Sequence, residues 1–344
     1  MAQSTAEGAN GSNRGTYLDR TGWSEILRGS VRQFKRHDMA DRAAALTYYG
    51  VLAIFPGLLV LVSILGLVGR SATQTLLNNI GQIAPGGVSG VLRTVVMQVQ
   101  GRSGAASVAA VAGLILALWS ASGYVAGFIR ASNVSYEVAE GRPIWKTAPL
   151  RLAVTLALVI MLVISAVMVV VSGPVATQLG RALGLGSAVV LVWDVAKWPV
   201  LLIVVSLMFS LLYRACPNVR QPGARWITPG GVLAVLVWLI ASGLFAVYIG
   251  FSGSYNKTYG SLASVIVFLV WLWITNISVL FGAEFNAESQ RRRAIAAGLP
   301  EGVEPFAELR DTRKLDAPER RRVQRAGRAR ESGLQMRRRR RGSA

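Results

Sequence analysis

Long apolar stretches separated by short polar segments dominate the hydrophobic pattern of the chain. They are long enough to cross a bilayer, because a transmembrane helix needs roughly 20 mainly apolar residues. Six stretches reach this length, at 47–69, 108–129, 150–171, 188–212, 227–249 and 261–285. The pattern therefore predicts an all-α, polytopic integral membrane protein with six transmembrane helices.

Two shorter segments have an amphipathic pattern instead. In 23–37, apolar side chains fall on one helical face and basic side chains cover much of the rest, which is typical of an interfacial helix in the headgroup plane. In 88–99, valine and leucine recur at helical spacing and predict an outer-loop amphipathic helix. We divide the chain into a disordered leader (1–22), an interfacial helix (23–37), a membrane domain (38–288) and a disordered Arg-rich tail (289–344).

Composition and charge support this division. The 344 residues are 52% hydrophobic and 16% charged, whereas soluble domains average about 25% charged residues. The net charge is +20, and 289–344 alone holds 17 basic and 7 acidic side chains. Basic residues also collect at 130–149 and 213–226, two of the predicted loops. Because lysine and arginine favour the cytoplasmic side, we expect both termini to be cytoplasmic.

Motifs of soluble catalysis are missing from the sequence. Cys216 is the only cysteine and His37 the only histidine, so the chain has neither an internal disulfide nor a zinc-type cluster. It also lacks the phosphate-binding loop, the HExxH motif and the GxSxG elbow. We predict that the protein is not an enzyme and has no cofactor or metal site.

Charged residues inside the predicted spans are the main candidates for function, because a lone charge in hydrocarbon costs at least about 2.5–3.5 kcal/mol. Asp194 and Lys197 share one helical face, since they are three residues apart. They either pair along a substrate or ion path, or lie among headgroups if the span begins nearer Trp198. Glu284, near the end of the sixth span, either pairs with an inner-loop arginine or binds a proton or cation during transport.

Uncharged polar residues add weaker candidates. Asn276 in the sixth span could line the same path or bridge helices by a hydrogen bond. A polar aromatic cluster in the outer loop could meet a sugar or a headgroup, although an interfacial tyrosine belt also explains it. This cluster consists of Tyr248, Tyr255, Asn256 and Tyr259.

Two features concern the shape of the helices. Pro56 lies inside the first span, where it removes a backbone hydrogen bond and predicts a kink. Gly123 and Gly127 have the spacing that lets two helices approach closely. We expect their partner helix within the same chain.

The basic tail favours one class of partner. Anionic lipid attracts basic residues beside a membrane, and nucleic acid attracts them by the same electrostatics. Phe306 is the only aromatic residue of the tail available for base stacking. We therefore expect the tail to contact anionic headgroups rather than nucleic acid.

Several ordered motifs resemble those of the YihY/BrkB family of bacterial inner-membrane proteins. The resemblance spans about 23–290 and rests on 38–49 followed by 55–56, 119–123 followed by Asn133, 217–218, 226–230, 259–262 and 282–286. It implies a six-helix protein of the bacterial inner membrane, from a family once labelled ribonuclease BN and linked in one branch to virulence. Some relatives are thought to move lipid or lipid-linked molecules. The resemblance carries over no catalytic or substrate residues, and the arginine tail departs from it.

Three functional hypotheses follow. The leading one is a transporter or flippase-like exporter of an amphipathic or lipid-linked substrate. The alternative is a membrane scaffold that recruits anionic lipid, RNA or protein through its tail. A membrane-bound ribonuclease has the least support, since His37 is the only histidine and no acidic metal cluster is present. The sequence makes no prediction of oligomeric state.

Overall fold

The computed structural model describes residues 20–68, 105–171, 174–182, 184, 186–221, 227–251 and 263–342. Within these ranges the regular structure consists of nine α-helices. In chain order they are α1 Arg20–Arg36, α2 Met39–Val68, α3 Ala105–Ser135, α4 Ile144–Val170, α5 Pro174–Ala182, α6 Ser187–Ala215, α7 Pro229–Phe251, α8 Ala263–Ala296 and α9 Ala317–Gly342.

Six of these helices match the predicted spans in order: α2, α3, α4, α6, α7 and α8. In the described part of the chain, α4, α6, α7 and α8 are long and apolar enough to cross a membrane. The all-α membrane class is confirmed, while the number of six crossings stays a prediction. The outer-loop helix predicted at 88–99 and residues 1–19 of the predicted leader lie outside the described residues, whereas 20–22 of that leader belong to α1.

Large apolar side chains cover the outside of the bundle. Ile160 on α4 and Leu244 and Phe251 on α7 are exposed although they are strongly hydrophobic. A helix that is apolar on all sides is typical of a buried or membrane-spanning position. Hydrocarbon is the environment that such a surface fits.

Small residues allow α2 and α3 to pack closely. A Cβ atom placed on Gly127 would come 3.0 Å from Cδ2 of Leu46, and one on Gly123 would come 3.6 Å from Cδ1 of Tyr49. The partner of the predicted glycine pair is therefore α2 of the same chain, as expected. Between α7 and α8, Gly230 and Gly282 approach so closely that a Cβ on either would clash with the other's carbonyl oxygen.

Helix α1 covers the segment predicted to be an interfacial amphipathic helix, and only part of its predicted apolar face is buried. Trp23 stacks on Phe285 of α8 with ring centroids 5.5 Å apart. Ser30 and Gln33 are buried, whereas Leu27 and Val31 of the predicted apolar face are exposed. Helix α1 thus lies against α8 through aromatic contacts, including Phe34 on Phe281 with ring centroids 6.0 Å apart, and through buried polar residues.

The C-terminal segment differs most from the sequence prediction. Residues 289–344 were expected to be disordered, yet α8 continues to Ala296 and α9 begins at Ala317. The connection between them packs Leu299, Phe306, Leu309 and Leu315 into a second apolar cluster. Tyr136 after α3, Val219 after α6 and Ala287 of α8 also belong to it, so no single stretch of sequence shows this core.

Hydrogen bonds fix this segment to the loops. Asn218 donates from its backbone N to Oδ1 of Asn133 over 2.8 Å and from Nδ2 to the carbonyl oxygen of Asp311 over 2.9 Å. Val219 and Leu309 form an isolated antiparallel bridge. Lys146 pairs with Asp311 over 2.6 Å. The loop after α6 and the first turn of α4 therefore hold residues 309–311 of the predicted tail in place.

Candidate functional site: a buried ion network around Glu284

His37 and Glu284 form a buried pair between distant parts of the chain. His37 lies in the turn between α1 and α2, which reverses at Asp38 with a left-handed φ of 49°. Its Nδ1 atom is 2.8 Å from Oε1 of Glu284 on α8. The side chains are 8% and 1% exposed. The pair joins the α1–α2 turn to α8. Each buried side chain supplies the polar partner that the other requires away from water.

Glu137, just after α3, is the second carboxylate around His37. Nε2 of His37 lies 3.5 Å from Oε1 of Glu137, and Nη2 of Arg291 donates to the same oxygen over 2.6 Å. Burial alone would lower the pKa of His37, but Glu137 and Glu284 together raise it to about 9. His37 is therefore an imidazolium at neutral pH, with a carboxylate at each ring nitrogen.

Glu288 and Arg292 extend the network towards α1. Glu288 is 3.0 Å from Nε of Arg292 one turn along α8, and Arg292 pairs with Glu25 of α1 over 2.6 Å. Gly29 leaves room for this arrangement, because a Cβ atom there would clash with the Glu288 carboxylate. Helix α1 is thus attached to α8 by ion pairs as well as by aromatic stacking.

Glu304 connects the network with the C-terminal segment. Burial and the neighbouring carboxylate of Glu137 raise the pKa of Glu304. For Glu137, burial would raise the pKa, but hydrogen bonds from His37, Glu304 and Arg291 hold it below its usual range. Glu304 is therefore the member of this pair that retains a proton more readily. The Glu304 carboxylate also contacts Arg322 of α9 over 2.7 Å and Arg291 of α8 over 3.8 Å.

A neutral polar site lies further along α8, at Asn276. Tyr124 of α3 donates to Oδ1 of Asn276 over 2.8 Å, and Nδ2 of Asn276 donates to Oγ1 of Thr47 on α2 over 3.0 Å. Asn276 also donates to the carbonyl oxygen of Leu272. The amide thus links three helices, in the bridging arrangement weighed for it from the sequence.

Asp194 and Lys197 pair with each other on α6. Nζ of Lys197 is 2.7 Å from Oδ1 of Asp194, and the side chains are 6% and 32% exposed. The Lys197 ammonium also lies 5.8 Å from the ring centroid of Trp198. Helix α6 begins at Ser187, about two turns before Asp194, so both members of the pair lie within the helix.

The remaining predicted residues are only partly described. Tyr248 lies on α7 and is 57% exposed. Tyr255, Asn256 and Tyr259 lie outside the described residues, and so do the other members of that loop. Helix α2 is continuous through Pro56, whose side chain and predicted kink also lie outside the description.

Sequence reasoning assigned no functional role to His37, Glu137 or Glu288, which the structure places in the ion network. As the only histidine of the sequence, His37 was used as an argument against a metal site and a ribonuclease. For Glu284, one of the two interpretations was an ion pair with an inner-loop arginine. The structure pairs Glu284 with His37 instead. A single histidine directly before a helix start was the available signal, but its partner lies 247 residues away.

A comparison with protein families identifies the family of the chain. The family model described as "Virulence factor BrkB" matches residues 30–303, which include α2 to α8 and the whole ion network except Glu25, Glu304 and Arg322. The chain belongs to the BrkB family. The resemblance drawn from the sequence motifs is thereby confirmed.

Individual proteins similar to this chain are named as a ribonuclease-like protein or as membrane proteins. A putative ribonuclease-like protein, YfkH of Bacillus subtilis, is 27% identical over 270 residues, which are 78% of this chain and 97% of YfkH. A UPF0761 membrane protein of Alkalilimnicola ehrlichii is 30% identical over 271 residues, covering 74% of this chain but 56% of that relative. A UPF0761 membrane protein of Pseudomonas aeruginosa is 40% identical over 75 residues, or 22% of this chain and 18% of the relative. No solved structure matches the chain.

Proposed function

We propose that this BrkB protein is a transporter or flippase-like exporter of an amphipathic or lipid-linked substrate. The observation that carries the proposal is the concentration of buried polar groups on one long apolar helix. Asn276, Glu284 and Glu288 of α8 are all buried. Ionisable residues on membrane helices are costly and usually mark substrate or ion paths. Helix α8 is therefore the element along which we place the path.

The proposed location is the bacterial inner membrane with both termini in the cytoplasm. The basic side chains of 130–149, 213–226 and 289–344 support this orientation, because positive residues are enriched on the cytoplasmic side. The packing of Leu309 and Asp311 against Val219 and Asn218 supports it further, since it brings the C-terminal segment to one of these basic loops. The ion network then lies at the cytoplasmic end of the path.

Reconstitution tests transport directly. The purified protein is placed in liposomes of phosphatidylcholine and phosphatidylglycerol that contain a fluorescent phospholipid in both leaflets, and quencher is added outside. We expect the wild type to expose inner-leaflet probe faster than protein-free liposomes do. Asp194→Asn and Lys197→Met should slow it if the α6 pair lines the path. Equal rates with and without protein would reject phospholipid as the transported substrate class.

The packed C-terminal segment favours a second candidate function, a scaffold that recruits anionic lipid or a protein partner. Helix α9 is basic, and its Ala326 is buried, so the helix has a defined attachment to the body of the protein. A deletion of 335–344 removes five arginines while leaving the apolar cluster intact. If this deletion abolishes the biological phenotype and leaves lipid movement unchanged, the scaffold is favoured. An unchanged phenotype would count against it.

Ribonuclease activity is the third candidate, because one relative has "ribonuclease-like" in its name. Incubation of labelled RNA with purified protein, with and without divalent metal, tests it. Cleavage that survives His37→Gln and co-purifies with the protein would support an enzyme. We expect no cleavage above that of a mock preparation.

A further inference from the structure

A cleft outside the ion network opens between the loop at 302–304 and the first turns of α9. Its volume is about 840 Å³, within the range of about 300–1,000 Å³ of small-molecule sites. Val303, Pro318 and Ala326 supply apolar lining. The cleft is larger than a bare phosphate needs, so it suits an anion that carries an organic group.

Three arginines of α9 line this cleft. Arg321, Arg322 and Arg325 lie within about one helical turn. Arg322 pairs with Glu304 over 2.7 Å, whereas Arg321 and Arg325 form no ion pair with the described residues. Like charges three or four residues apart on a helix repel each other. The lining therefore has an excess of positive charge that a bound anion would neutralise.

We propose that this cleft binds a phosphate group attached to a larger organic moiety. Arginine forms two parallel hydrogen bonds with phosphate oxygens, so Arg321 and Arg325 would hold the phosphate. The apolar lining would hold the attached group. A lipid headgroup and a soluble phosphate ester share this chemistry. The inference does not depend on transport, because a scaffold could bind the same ligand.

Glu304 sets the specificity of the site. It is the one carboxylate of the lining, and it competes with an incoming anion for Arg322. Its carboxyl group also neighbours the carboxylate of Glu137 in the ion network. Replacing Glu304 with glutamine gives a side chain of similar size that cannot carry the negative charge that pairs with Arg322. This variant should bind a phosphate ester more tightly than the wild type.

Two binding measurements on the full-length protein test the site. Glycerol 3-phosphate is titrated into protein in phosphatidylcholine nanodiscs and followed by calorimetry. Separately, retention of phosphatidylglycerol by detergent-purified protein is measured by native mass spectrometry. The test variant is Arg321→Gln/Arg325→Gln. Its charge-matched control is Arg313→Gln/Arg328→Gln, whose exposed side chains do not line the cleft.

The expected result is a loss of at least about tenfold in affinity for one or both probes in the test variant, since each arginine–phosphate hydrogen bond is charge-assisted. The control should bind like the wild type, and Glu304→Gln should bind more tightly. Loss confined to phosphatidylglycerol identifies a lipid headgroup as the ligand, and loss confined to glycerol 3-phosphate identifies a soluble ester. Absence of binding by the wild type, or equal losses in test and control variants, overturns the proposal.

Discussion

Helix α8 holds two buried polar sites, about two turns apart, that are built from different chemistry. At Asn276, neutral groups of three helices complete a small set of hydrogen bonds. At Glu284, the partner is His37, which also contacts the carboxylate of Glu137. The comparison shows that the bundle buries neutral groups where few partners meet. It buries charge where the α1–α2 turn, the loop after α3 and α8 supply charged partners of both signs.

Removing His37 should produce the largest loss of stability. His37→Ala leaves the buried Glu284 carboxylate without the hydrogen bond it receives from the imidazole. Breaking one side of a buried ion pair costs about 3–5 kcal/mol, and we expect a loss of this size in the free energy of unfolding in detergent micelles. Arg36→Ala is the control, because that side chain is 60% exposed and should cost about 0–1 kcal/mol. Similar small losses in both variants would contradict a charged pair.

Raising the pH should weaken the same site by a smaller amount, because it removes the proton of His37 and keeps the side chain. The pKa of His37 is raised from 6.5 to about 9 by Glu137 and Glu284 against the effect of burial. The stabilisation is therefore complete below about pH 6.5, declines as pH rises and is lost above about pH 9. Arg36 and Arg291 are the basic side chains that also face Glu137 among the described residues.

Unfolding temperatures measured between about pH 6 and pH 10 check this dependence. The wild type should lose stability across the upper part of the range relative to His37→Gln, whose neutral amide does not titrate. Parallel curves for the two proteins would show that His37 is neutral throughout and that the network is held by the arginines alone.

The smallest effect is expected at the neutral site. Asn276→Leu removes the hydrogen bonds to Tyr124 and Thr47, and interhelical hydrogen bonds of this kind contribute about 0.6 kcal/mol on average with a maximum of about 1.7. Ser278→Ala is the matched control on the same helix, because Ser278 bonds only to the Ile274 carbonyl of α8. Denaturant unfolding should rank His37→Ala, Asn276→Leu and Ser278→Ala in that order. A loss at Asn276 as large as at His37 would remove the distinction between the sites.

The apolar pattern predicts the helices because spans are encoded locally. A run of about 20 apolar residues has the length of a membrane-spanning helix. Each of the six runs coincides with a helix of the structure. The glycine pair at 123 and 127 was also recognisable, since its spacing alone allows close packing. Both signals are contained within one stretch of sequence.

The ion network and the folded C-terminal segment depend on contacts between distant stretches. Glu284 was recognisable as a buried carboxylate, but its partner His37 is fixed only when α1 packs on α8. Phe306 and Leu309 do not belong to a periodic apolar pattern of a helix or a strand. They are buried because they pack against Tyr136 and Val219, which are distant in the sequence. Composition alone therefore classed a packed segment as a disordered tail.

The central claim is that the buried charge of Glu284 serves transport as well as folding. The most direct test is the rate of lipid movement in the same liposomes for Glu284→Gln, compared at equal amounts of folded protein with the wild type and with Glu301→Gln, a control at an exposed glutamate. Our account predicts that Glu284→Gln loses most of the protein-dependent rate while Glu301→Gln keeps it. A folded Glu284→Gln protein that moves lipid at the wild-type rate would contradict the claim and leave the network a purely structural role.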